Sequence, residues 1–365
     1  MPLIPPNIES LVPYQPGRTS DEIRREFGVS RIVKLASNEN PVGPSPKALE
    51  RVRSVLSEAH IYPDGGLKLR RAVGERFGVK MTCVAVGSGS EAIMANVMRT
   101  FLTSDEEVLT AEGTFIGFYV LARSCGVKLV TVPLRDYRYD LGAIADAISP
   151  RTKIIYLANP NNPTGTTFTR TEFERFMKRV PSGVLVILDE AYFEYAGENP
   201  DYPDSLQYRL DNVITLRTFS KAYGLAGMRI GYGFAHEDLF QYFLRVKLPF
   251  EPTLASEAAG LGALDDNEFL ERTVETNRIG KARLEKAFRE LGLPVVPTDA
   301  NFFFVPFGSE KEALQVNDGL LRRGVIVRPL RAFRLPSGLR ITVGTPEQNE
   351  ILLQALKEVL PAVTG

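Results

Sequence analysis

The chain has 365 residues, 44% hydrophobic and 24% charged, which suits a soluble protein with one large core and a second, smaller one. Its 44 basic residues balance 44 acidic ones, so charge gives no reason to expect nucleic acid or an anionic membrane as a partner. Cys83 and Cys125 are too few for a disulfide framework, and His60 and His236 stand too far apart for a histidine-rich metal site or a serine–histidine nucleophile.

Met1-Pro2-Leu3-Ile4-Pro5-Pro6 has neither the basic region nor the apolar core of a signal peptide. Apolar runs such as Val184–Leu188 are far too short to span a bilayer, so the expected location is the cytoplasm. The first forty residues are rich in proline and turn formers and predict an arm lying over other surfaces, with one short amphipathic stretch at Ser20–Phe27. From about Lys80, short β-rich runs alternate with helical segments. The predicted strands are Cys83–Val86, Glu107–Thr110, Lys128–Val132, Lys153–Leu157, Val184–Leu188, Val213–Thr218 and Arg229–Phe234. Helices fit between several of them, at Ser90–Phe101, Phe115–Ser124, Leu141–Ile148 and Thr169–Val180. Such alternation predicts a mostly parallel sheet covered by helices on both faces, and the near-continuous Val, Ile and Leu runs are what doubly buried strands need. After Ser256 a single long helical pattern runs to about Glu290. The remainder reads strand (Asn301–Pro306), helix (Lys311–Arg323), strand (Val325–Arg328), strand (Leu339–Val343) and helix (Pro346–Leu360). The expected fold class is therefore α/β: a large domain with a mostly parallel sheet, plus a small α+β domain joined by the long helix. The boundaries that follow are an arm at 1–35, belonging to the small domain, a large domain at 36–265 and a small domain at 266–365.

Four predicted strand ends carry unusual residues, and in an open α/β sheet ligands gather there. Lys153–Leu157 leads into Asn159-Pro160-Asn161-Asn162-Pro163-Thr164-Gly165, either a rigid turn or an amide held against a ligand. Val184–Leu188 leads into Asp189-Glu190-Ala191-Tyr192. The acid there is a helix cap, a metal ligand, or a buried carboxylate opposite a cationic ring nitrogen. Val213–Thr218 leads into Phe219-Ser220-Lys221, then a glycine-bearing loop to Arg229. Lys221 is either solvated or a dry nucleophile whose proton a nearby cation helps to expel. Val84–Val86 leads into Gly87-Ser88-Gly89-Ser90-Glu91-Ala92, a serine-capped helix or an anion site at a helix N-terminus. It lacks the Gly-Lys-Ser/Thr of a nucleotide P-loop and the third glycine of a dinucleotide fingerprint.

An anion loop, an Asn turn, an Asp/Tyr strand end and a lysine after a strand, in this order, resemble the pyridoxal-phosphate aminotransferases of the aspartate-aminotransferase type. The resemblance runs the length of the chain. It implies that Lys221 carries the cofactor as a Schiff base and shuttles the substrate proton, and that Asp189 pairs with the pyridinium nitrogen. It further implies that Tyr192 and Asn162 contact the ring's phenolic oxygen and that Phe115 stacks on the ring. The phosphate is expected on the amides of Gly89 and Ser90, with Thr218, Ser220 and Arg229 adding donors. Tyr62 matches a tyrosine that reaches the neighbouring subunit's cofactor phosphate, which implies a homodimer with shared sites. Arg340 matches the arginine that clamps the substrate's anionic group.

Three further stretches resemble the histidinol-phosphate aminotransferase family: Leu11–Gly17, Leu35–Gly43 (with Asn38) and Gly324–Pro329. By that resemblance Tyr14 and Asn38 line the substrate pocket and Arg328 holds the substrate phosphate. The implied reaction passes an amino group from L-histidinol phosphate to 2-oxoglutarate. One departure is Phe333-Arg334, where relatives more often carry Tyr-Gly. Broad aromatic aminotransferases, acting on phenylalanine and tyrosine, share much of the pattern and stand as the alternative. A phosphothreonine decarboxylase on the same scaffold would release CO2 instead of forming glutamate. A non-catalytic regulator would need an appended DNA-binding helix pair, and no basic N-terminal extension is present.

Overall fold

The computed structural model describes residues 3–13 and 17–364. Near the N-terminus, Ser20–Phe27 is a helix as its pattern predicts, opened by a capping box between Thr19 and Glu22 and closed by Gly28 at φ 68°. A two-residue strand, β1 (Val33–Lys34), follows. Helices Pro46–Val55 and Leu67–Phe77 then occupy a stretch for which the sequence pattern predicts no element.

The main sheet has seven strands: β2 (Val84–Gly87), β3 (Glu107–Ala111), β4 (Lys128–Val132), β5 (Thr152–Ala158), β6 (Leu185–Asp189), β7 (Val213–Thr218) and β8 (Gly231–Phe234). Their spatial order is β2-β8-β7-β6-β5-β3-β4. All run parallel except β8, which is antiparallel to both of its neighbours. The reason is the β7–β8 connection. It holds only a three-residue 3-10 turn, Ala226–Met228, too short for the helical crossover a parallel return requires. The strand predicted from Arg229 starts at Gly231, because Arg229 itself is left-handed at φ 51°.

Strand alternation builds a core on each face. Ile154, Tyr156 and Ile187 point into one cluster, whereas Ile155, Leu157 and Val186 point into the other. The long helix predicted after Ser256 is two helices, Leu254–Leu264 and Asn267–Glu290. They part at Asp265-Asp266, whose side chains bind elsewhere: Asp266 accepts from Ser45 Oγ at 2.6 Å, and Asp265 from Arg51. Short acids that find such partners favour helix ends over helix interiors.

The C-terminal part contributes β9 (Phe302–Pro306), β10 (Val325–Ile326), β11 (Arg328–Pro329) and β12 (Gly338–Thr342). The single strand predicted at Val325–Arg328 is thus split between two partners. β10 pairs with β1, and β11 pairs with β12 in the antiparallel sheet β11-β12-β9. Helices Glu310–Leu321 and Pro346–Val359 cover a third core that includes Leu35, Val305, Leu320 and Leu356. Among the described residues no helix is long and apolar enough to cross a membrane.

Candidate active site

The carboxyl ends of β5, β6 and β7 open onto a cavity of about 170 Å³. Asp189, the last residue of β6, is buried there. Its Oδ2 accepts from Tyr156 Oη at 2.8 Å and its Oδ1 from the Ala191 amide at 3.1 Å. Burial raises its pKa to about 6, against the pull of those hydrogen bonds and of Lys221, so it is mostly a carboxylate at neutral pH. Neither a cap nor a metal-ligand role is needed to explain it.

Lys221 also borders this cavity, and its Nζ donates to the Ser37 carbonyl at 3.2 Å. Burial lowers the amine to about 8, helped by the cations Arg340 and Arg229 and opposed by Glu39 and Asp189. A lysine in this state is a nucleophile and base near neutral pH.

The end of the cavity beside β2 is bare backbone. The N-cap of helix Ser90–Phe101 is Gly89, at φ 84°, with no capping side chain, so Ser90 opens the helix rather than capping it. Uncapped first-turn amides are donors in search of an anion. Gly231 passes beneath them; a Cβ at that position would lie 2.3 Å from the Ser90 nitrogen. Thr218 Oγ1 donates to Ser220 Oγ at 3.0 Å, and Thr218, Ser220 and Arg229 line the same cavity. Arg229 Nη1 is braced on the Ala226 carbonyl at 3.1 Å.

A second cavity of about 370 Å³ shares Phe115, Asn162, Tyr192 and Lys221 with the first and adds Asn38, Arg328, Phe333 and Arg340. Tyr192 is buried and its phenol is raised to about 12 by burial, so it keeps its proton. Asn38, left-handed at φ 55°, donates from Nδ2 to Tyr192 Oη at 2.9 Å, which leaves the phenolic hydrogen to donate into the cavity. Arg340 sits on β12, buried, with Nη2 on the Ala36 carbonyl at 2.7 Å and Nη1 on Asn162 Oδ1. Arg328 on β11 is its cross-strand partner, so the two arginines share one sheet face.

Of the three asparagines after β5, Asn162 alone lines these two cavities. Asn161 Nδ2 ties the Gly113 carbonyl at 3.0 Å, and Asn159 Oδ1 accepts from the Phe168 amide at 3.0 Å; both are turn structure. Arg334 lies outside this second cavity, bound to Glu112 at 3.1 Å, while Phe333 forms part of the cavity wall. Tyr62 is not brought to either cavity: it is 76% exposed and stacks on Phe250 at 4.3 Å between ring centroids. Tyr14 lies outside the described residues. Two participants had gone unpredicted, Tyr156 and the Ser37 carbonyl. Tyr156 carries a signal, since a tyrosine inside a doubly buried strand needs a partner for its hydroxyl; a backbone carbonyl carries none.

The family model for aminotransferases of class I and II matches residues 30–356. The chain belongs to the class I and II aminotransferases. A histidinol-phosphate aminotransferase of Anaeromyxobacter sp. (strain Fw109-5) is 44% identical to this aminotransferase over 366 residues, covering 99% of this chain and 100% of the relative. Another, from Moorella thermoacetica, is 42% identical over 357 residues, covering 97% and 92%. Among solved structures, the histidinol-phosphate aminotransferase of Sinorhizobium meliloti in complex with pyridoxal-5'-phosphate matches with a TM-score of 0.89 at 28% identity, covering 99% of this chain and 98% of that one.

Proposed function

We propose that this aminotransferase exchanges the amino group of L-histidinol phosphate for the oxo group of 2-oxoglutarate, using pyridoxal phosphate held at Lys221. The observation that carries the reading is one cavity containing a depressed lysine, a buried carboxylate and uncapped helix amides. Those residues fit the cofactor by charge: amides and Arg229 for its phosphate, Asp189 for its ring nitrogen, Tyr192 and Asn162 for its phenolic oxygen. Pyridoxal phosphate supplies the electron sink for the pair left at the substrate Cα.

The chain's own residues do the rest. Lys221 Nζ takes the Cα proton, and an amine near 8 is suited to both receiving and returning it. Asp189, anionic at neutral pH, would favour a protonated ring nitrogen on the bound cofactor. Tyr192 Oη, protonated and oriented by Asn38, donates without needing to reorganise. Arg340, already fixed by Ala36 and Asn162, offers a preorganised fork to the carboxylate of 2-oxoglutarate, and Arg328 beside it receives the substrate phosphate.

A second reading, a broad aromatic aminotransferase, is favoured by one feature: Phe115, Ile116, Val120 and Phe333 give the substrate cavity a wall that fits phenyl and imidazole rings alike. Single-turnover spectroscopy with L-histidinol phosphate and with L-phenylalanine separates them. Rapid loss of the bound cofactor's visible band with histidinol phosphate alone supports the first reading; equal rates support the second, and no cofactor band at all defeats both.

The active form is proposed to be a homodimer. Ile61, Tyr62, Leu248 and Phe250 are each more than half exposed, an apolar patch for a second copy that would bring Tyr62 to the partner's phosphate site. A fully active monomer in sedimentation analysis would rule this out. Two free thiols, Cys83 and Cys125, fit a cytoplasmic setting.

A further inference from the structure

Side chains alternate across a strand, so the residues next to the cofactor-facing ones meet on the opposite side. Asp189 and Thr218 border the cofactor cavity. Their neighbours Glu190 and Arg217, both 0% exposed, are joined behind it. Glu190 Oε2 accepts from Arg217 Nε at 2.9 Å and lies 2.8 Å from Nη2 as an ion pair, and Nη2 donates to Asp204 Oδ1 at 2.8 Å. The guanidinium carbon lies 3.3 Å from the centroid of the Phe193 ring. Glu190 Oε1 accepts from the Ser205 amide at 3.1 Å, which ties the far end of the same loop.

Two features give this cluster a purpose. The ladder between β6 and β7 ends at Asp189 opposite Leu216, with a last backbone bond from the Glu190 amide to the Leu216 carbonyl at 2.8 Å. Beyond that point the side-chain pair Glu190–Arg217 ties the two diverging segments. The contacts also interleave: residues 189 and 192 line the cavity, whereas residues 190 and 193 grip Arg217. One guanidinium thus holds the Asp189–Tyr192 segment from behind, four residues before Lys221.

We propose that Arg217, through Glu190 and Phe193, is a positioning residue that fixes Asp189 and Tyr192 relative to Lys221, and thereby sets the protonation balance of the cofactor site. The inference rests on the cofactor reading above. Stability alone explains the cluster poorly. A buried ion pair gains little over apolar side chains of the same volume, and here Arg217 Nη1 and Glu194 Oε1 are buried with no hydrogen-bond partner among the described residues. The charged groups facing the guanidinium are Glu190, Asp204 and Glu194, with the hydroxyls of Tyr202 and Tyr232 nearby.

The test uses the holoenzyme and three variants: Glu190→Gln, Arg217→Lys and the double variant Glu190→Gln/Arg217→Met. For each, kcat and KM, the melting temperature, and the pH midpoint of the bound cofactor's visible band are measured. Each single variant is expected to lower kcat about 10–100-fold with KM little changed, as loss of an outer-shell orienting group does, and to move the band midpoint. In the double variant no buried charge of the pair is left alone. It is expected to recover melting temperature while kcat and the midpoint stay displaced, and it decides the matter if a single variant does not fold. A midpoint unmoved in every variant of a cofactor-bearing protein, or kcat regained together with stability, overturns the proposal. A wild-type protein with no visible band overturns the cofactor reading first, and this inference with it.

Discussion

Replacing Lys221 by Met should destroy activity yet make the cofactor-free protein more stable. Bringing the amine down from its ordinary 10.5 to about 8 corresponds, at 1.36 kcal/mol per pH unit, to about 3 kcal/mol of cost for the charged form in its cavity. The variant also loses the bond from Nζ to the Ser37 carbonyl, worth about 1 kcal/mol. Net, the apoprotein of Lys221→Met should be about 2 kcal/mol more stable than wild type at pH 7. The pH dependence fixes the cause. At pH 7 folded and unfolded chains both carry the proton, and the cost is fully present. Between about 8 and 10.5 the folded chain has released it and the unfolded chain has not, so wild-type stability rises relative to the variant. Urea unfolding of both apoproteins at pH 7 and pH 9.5 measures this, with the gap expected to shrink almost to nothing at the higher pH. Equal stabilities at pH 7, or a gap that ignores pH, would refute the claim that burial and neighbouring cations hold the amine down.

Three further outcomes are expected. Tyr192→Phe removes the phenol that Asn38 orients. The pH midpoint of the bound cofactor's visible band should rise by about 1–2 units, the equivalent of one hydrogen bond to a charged oxygen, and an unchanged midpoint would exclude that contact. Gly231→Ala places a Cβ 2.3 Å from the Ser90 nitrogen, so equilibrium titration should show cofactor affinity falling at least about tenfold, while a wild-type affinity would mean these amides do not hold the phosphate. Arg328→Gln should raise KM for histidinol phosphate about 10–100-fold and leave KM for glutamate within a few-fold; parallel losses would argue against a phosphate role.

The strands were legible because seven apolar runs of the right length and β-branched content lie between helical patterns. The acid stood out because it follows such a run directly, and the lysine because it comes three residues after one. Local signals failed where the answer was non-local. Tyr156 and Asp189 lie on neighbouring strands 33 residues apart, and Ser37 meets Lys221 across 184. Capping preference left a serine-capped helix and an anion site both open after β2; the cap is Gly89, so no side chain takes the first-turn amides. Ser45-Pro46 is a cap-and-proline start that marks helix Pro46–Val55, whereas Leu67–Phe77 opens at a left-handed Gly66 with no side-chain cap to announce it. The break at Asp265-Asp266 depended on Ser45 and Arg51, more than two hundred residues earlier.

Asn38 touches more than the tyrosine it orients. Its amide and its side chain both bind Thr342 Oγ1, at 3.0 and 3.1 Å, and its carbonyl accepts from Asn301 Nδ2 at 3.2 Å. One left-handed residue therefore joins β12 and the approach to β9 to the phenol beside the lysine. The placing of the C-terminal sheet and the aim of the Tyr192 phenol are thus settled at a single residue. A substitution there would disturb the seam and the phenol together.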